Sequence, residues 1–109
     1  MKKIHCIVLL LIMSLCACSK QTSAPIETYS SDKGMKIVLT ASRSSSLDPW
    51  MVEIELSHAG KSTKVFQEFY AEEVSKNNVS FDWQSNTECI IQMTQRDGEI
   101  ISIPVQVTE

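Results

Sequence analysis

Few side chains in this sequence are placed to do chemistry. Four are cysteines, and three of these, Cys6, Cys16 and Cys18, fall within the first 18 residues, with Cys89 far behind. Glu53 and Glu55 alternate with apolar residues and would share one face of an extended strand, where paired carboxylates could in principle exchange protons. His58 follows closely, but an extended chain turns it to the opposite side, so the three do not form a metal-ligand set. No serine stands in a nucleophile-elbow context, and no glycine-rich phosphate loop is present. The reading is therefore of a protein that is not an enzyme and carries no cofactor or metal, with Glu53 and Glu55 forming a solvated strand face.

The N-terminal cysteines have a more specific context. Lys2 and Lys3 open the chain with positive charge, Ile7 to Met13 is an unbroken apolar run, and Ser14-Leu15-Cys16-Ala17 closes it with small residues on either side of Leu15. This is the three-part pattern of a secretory signal peptide. The apolar stretch of about a dozen residues is too short for a membrane-spanning helix, which needs roughly 20. Leu15-Cys16-Ala17-Cys18 resembles the lipobox of bacterial lipoproteins. The resemblance covers the first 18 or so residues. It implies that Leu15 and Ala17 are signal-peptidase recognition positions, and that Cys18 receives S-diacylglycerol and N-acyl groups such as palmitate after residues 1–17 are removed. Cys16 departs from the usual Ala or Ser but is small. Two or three acyl chains hold a protein stably, whereas one binds only marginally. Ser19 after the modified cysteine implies the periplasmic face of the outer membrane, the alternative being the outer face of the cytoplasmic membrane. In such a setting the sequon Asn78-Val79-Ser80 is read as coincidental.

Charge agrees with an envelope rather than a nucleic-acid role. The net charge is −3, and loss of Lys2 and Lys3 leaves eight basic against thirteen acidic groups, or −5. An acidic domain has no electrostatic attraction to nucleic acid. The expected partners are the membrane, through the lipid, and an envelope protein. After processing, Cys89 is left without an intramolecular partner. It shares strand parity with Ile91 and Met93, which favours burial.

The elements that must carry these residues read as β. Residues 18–34 are rich in Ser, Thr, Lys and Gln and read as a flexible tether of about 20–24 Å, although Ile26 to Tyr29 could dock as a short edge strand. From Met35 the chain reads as one small β domain, 35–109. Met35 to Ser42 is β-rich, and Trp50, Val52, Ile54 and Leu56 alternate with polar residues. His58-Ala59-Gly60-Lys61 marks a hairpin turn, with Val65 and Phe66 competing for the inner face of the return strand. Tyr70 and Val74, and Glu72 and Lys76, lie four apart, predicting a short helical turn near 70–76. Val79, Phe81 and Trp83 alternate, Thr87 to Gln95 reads as a strand, and Asp97-Gly98 signals a hairpin. In the last strand, Ile101, Ile103, Val105 and Val107 share a face, and Pro104 points to a sheet edge.

The expected fold is mainly β: a small antiparallel sandwich or barrel of six to seven strands, with an immunoglobulin-like outline as one form. The Cys–Trp–Cys pattern of true immunoglobulin domains is absent. Trp50 and Trp83 share parity with apolar neighbours and read as core, whereas Phe69 and Tyr70, beside the broken segment, are the candidate exposed binding aromatics. Two roles fit: a protein-binding or assembly accessory module of the cell envelope, or a small inhibitor or immunity-type protein against a hydrolase or toxin. A protruding acidic loop around Glu72 and Glu73 would favour the inhibitor, and a flat apolar edge the assembly module.

Overall fold

The computed structural model describes residues 20–107. The lipobox residues Leu15, Ala17 and Cys18 lie outside them. Eight strands follow one another: β1 (Gln21–Thr22), β2 (Ile26–Tyr29), β3 (Met35–Arg43), β4 (Trp50–His58), β5 (Lys61–Phe69), β6 (Val79–Trp83), β7 (Glu88–Thr94) and β8 (Ile100–Gln106). They form two separate antiparallel sheets, β1 to β5 and β6-β7-β8, so the fold is a sandwich and not a barrel.

Strands neighbouring in sequence are neighbours in each sheet, apart from β1 and β2, which both pair with β3. This up-and-down order corrects the immunoglobulin-like outline, which needs strands exchanged between sheets. Short hairpins account for the difference, because a tight turn returns the chain beside the strand it has just left.

The tether is corrected as well. Thr22 lies opposite Ser42 and Ile26 opposite Leu39, so four steps on one strand face three on the other. β1 and β2 thus form one edge strand broken by a bulge at Ser23-Ala24-Pro25, which includes the short edge strand expected at Ile26–Tyr29 and joins Gln21–Tyr29 to the sheet that holds β3. The bulge accommodates Pro25, which has no N–H to offer. Ser23 N–H donates to the Ala41 carbonyl at 2.9 Å, and its hydroxyl accepts the Ala41 N–H at 2.9 Å. Ile26 is buried, and this apolar anchor outweighs the polar composition around it.

The expected helical turn over 70–76 does not form. Its carbonyls are taken by donors from elsewhere in the fold: Tyr70 C=O accepts from Arg96 N–H at 2.9 Å, and Ala71 C=O accepts from the Trp50 indole at 3.1 Å. Ala71 and Val74 then close one end of the core, and a turn from Ser75 leads into β6.

The core lies between the sheets. Met35, Ile37, Leu39 and Ala41 of β3 and Trp50, Val52 and Ile54 of β4 face Cys89, Ile91 and Met93 of β7. Every second residue of each strand contributes, as the pleat requires. Across the sandwich, the half-buried Trp83 donates its indole N–H to Thr28 Oγ1 at 3.0 Å, placing β6 over the β2 side. Leu56 and Thr63 share a groove with Gln106 and Val107, placing β8 over the β4–β5 side.

Candidate functional site

The feature best able to act is the edge at β5, which among the described residues pairs with β4 alone. The β4–β5 hairpin turns through Ala59 (φ 51°) and Gly60 (φ 78°), the two positive values of a type I′ turn. Its two-residue length sets the register, with His58 opposite Lys61, Ile54 opposite Val65, Glu53 opposite Phe66 and Trp50 opposite Phe69. Phe66 therefore falls on the polar outer face with Glu53, and Val65 on the inner face with Ile54. Both remain exposed, Phe66 at 59% on the outer face and Val65 at 43% on the inner face of the last strand in its sheet. Of the nine β5 residues, Phe69 alone is buried.

The other edges of the sandwich are blunted. The β1–β2 edge carries the Pro25 bulge, β6 is five residues long, and β8 contains Pro104. The β5 edge is nine residues long and unbroken in register, without proline, and its charged side chains are Lys61, Lys64 and Glu68. Lys64 Nζ stands 3.8 Å from Glu53 Oε1, and the Tyr70 hydroxyl donates to Glu68 Oε2 at 3.3 Å. Phe66 and Met51 also border a shallow outer groove of about 310 Å³ with Thr22, Thr40, Ser42 and Glu53.

The two candidate aromatics part company. Tyr70 is exposed and lines an open groove with Leu47 and Arg96. Phe69, expected to be exposed, is fully buried. It stands opposite Trp50 on the inner face, and one step along the strand reverses the side chain's direction. Phe66 takes its place as the exposed ring. The signal for it was available in the two-residue turn, since counting back from His58 and Lys61 sets Phe66 against Glu53.

The remaining candidates lie apart from the β5 edge strand, on β4, on β7 and in the β2–β3 turn. Glu53 and Glu55 lie half-buried on the outer face of β4, with Lys64 beside Glu53. Among the described residues no group of three His, Cys, Asp or Glu is placed to hold a metal ion. Cys89 is buried between the sheets, and its thiol is pushed up to about 11, first by burial and then by the nearby charge of Asp82. A thiol held neutral in this way is a poor nucleophile. Asp32, in the turn between β2 and β3, is held below the usual carboxylate range by the Ser30 hydroxyl and the Gly34 N–H, which both donate to it.

No protein-family model matches the chain, and no curated protein or solved structure is similar to it.

Proposed function

We propose that this chain is a lipid-anchored lipoprotein of the cell envelope that acts as a protein-binding or assembly accessory module. The observation that carries the docking part is the nine-residue β5 edge, unpartnered among the described residues, with Val65 and Phe66 exposed on its two faces. An extended segment can add to such an edge through main-chain hydrogen bonds, and the exposed side chains give selectivity. The anchoring part rests on the signal-peptide pattern and on Leu15-Cys16-Ala17-Cys18. With the lipid on Cys18 and β1 starting at Gln21, anchor and first strand are three positions apart in sequence, a span of at most about 10 Å. The domain then sits against the bilayer, on the periplasmic face of the outer membrane, and meets partners close to the lipid surface.

The arrangement around Glu72 and Glu73 favours this role over that of an inhibitor. Both are exposed, but they flank the buried Ala71 and Val74, and Arg43 binds the carbonyls of Ala71 and Glu72 at 3.4 and 3.3 Å. The segment folds over the core end and does not project as a plug.

Crosslinking intact envelopes through a photoreactive residue at position 66, followed by extraction in detergent, tests the proposal. A protein adduct is expected at position 66 and not at Ser102 of β8. Adducts at neither position, or equally at both, would count against docking through β5. Intact mass of the extracted protein tests the anchor, with loss of residues 1–17 and a gain of acyl chains expected.

A further inference from the structure

The β5 edge is self-complementary in one register. Resting on the protein-docking reading above, we propose that it pairs antiparallel with β5 of a second copy of this chain, Phe66 opposite Phe66.

The geometry begins at the hairpin. A two-residue turn makes its flanking residues a hydrogen-bonded pair, and in an antiparallel ladder such pairs alternate. Lys61, Thr63, Val65, Gln67 and Phe69 therefore direct their backbone groups toward β4, given the register between the strands. Ser62, Lys64, Phe66 and Glu68 direct theirs to the free edge, and the same residues carry the outer-face side chains. A two-fold axis perpendicular to the sheet joins two such edges and keeps both outer faces on one side.

Charge then selects among the allowed registers. With Lys64 on the axis, lysine meets lysine. With Val65 there, Lys64 meets Phe66, and with Gln67 there, Phe66 meets Glu68. With Phe66 on the axis, Lys64 of each copy meets Glu68 of the other, and the two Phe66 rings meet between them. Opposite charges and aromatic rings placed directly across an antiparallel pair are favourable, and like charges are not. Phe66 and Glu68 are exposed and the Lys64 side chain is 51% accessible, so the exposed contacts Lys64 makes with Glu53 and Glu68 makes with the Tyr70 hydroxyl leave these side chains open to a second copy. Lys64 already lies beside Glu53 and would sit between that carboxylate and Glu68 of the second copy. The bulged β1–β2 edge at the far side does not repeat this chemistry, so assembly closes at two copies instead of extending into a fibre.

The test uses the full-length chain expressed in its own envelope and extracted in mild detergent. Phe66→Cys should yield a disulfide-linked homodimer on mild oxidation, since Cα atoms opposite each other in a hydrogen-bonded pair lie about 5.5 Å apart, within disulfide range. Lys61→Cys should yield none, its two copies being roughly 33 Å apart along the strands. Lys64→Glu and Glu68→Lys should each weaken the dimer about tenfold or more, and the two together should restore it to within about threefold. Circular dichroism checks that each variant keeps its fold. A double reversal as weak as either single one overturns the register. A Phe66→Cys protein that links to a different protein and never to itself overturns the second-copy inference and leaves docking through β5 standing. Neither homodimer nor any other adduct at position 66 overturns both.

Discussion

The Arg43 guanidinium lies 4.2 Å from the centre of the Trp50 ring, and both side chains donate to the same acceptor, the carbonyl of Ala71. This pair pins the segment after β5 onto the core and holds the end of the docking edge in place. Arg43 also binds Gln21 at 2.7 Å, so β1 and the β5–β6 connection meet at a single side chain. Arg43→Ala is expected to cost about 1–2 kcal/mol in urea unfolding, through loss of the cation–ring contact and its hydrogen bonds. Trp50→Phe should cost a similar amount, by removing one donor and some packing. The double variant should lose less than the sum, and strict additivity would show that the two do not act as a unit.

Cys89 offers a pH signature. Its thiol is raised from the ordinary 9.0 to about 11, so folding favours the neutral form. That contribution is fully present below pH 9 and is lost as pH rises toward 11. The wild type should therefore lose stability relative to Cys89→Ala over this window, with no such difference between pH 6 and 8. Thiol reagents at pH 8 should label Cys89 only as fast as the domain opens, because the side chain is buried. Immediate labelling of the native protein would contradict that placement.

The hairpin that sets the β5 register carries an avoidable strain. Ala59 adopts φ 51°, a left-handed conformation disfavoured for a residue with a Cβ. Asn-Gly is the preferred pair for this turn type. Ala59→Asn should stabilise the domain by about 0.5–1 kcal/mol without altering dimerisation, and Ala59→Val should destabilise it, as read from thermal unfolding.

The turn between β2 and β3 depends on Ser30. This buried hydroxyl accepts the Met35 N–H at 3.1 Å and donates to Asp32 Oδ1 at 2.7 Å. Ser30→Ala leaves a buried N–H without that partner and should cost about 1–3 kcal/mol. The depressed carboxyl of Asp32 adds a direction in pH. Its contribution is present above the ordinary value of 3.8 and is lost as pH falls through the lowered one. Asp32→Ala should therefore flatten the acid limb of the stability profile, and an unchanged limb would remove Asp32 from this role.

The alternation in the sequence was enough to locate most strands of the sandwich, to bury Trp50 and Cys89, and to mark the turns at Ala59-Gly60 and Asp97-Gly98. These are local effects: a period of two follows from the pleat, and a glycine turn follows from backbone sterics. The N-terminal pattern on which the proposed anchor at Cys18 rests is equally local, a linear string of residues. Only the tertiary structure decided the rest. Residues 21–29 look like a tether until Ile26 finds a core to enter. The i, i+4 pairs after Phe69 look helical until Arg96 and Trp50 capture the carbonyls a helix would use. Phe69 and Phe66 are both aromatic and close in sequence, yet one is buried and the other exposed. Their difference rests on the register across β4, which turns Phe69 inward opposite Trp50 and Phe66 outward opposite Glu53, and only the inner face has a core to receive a ring.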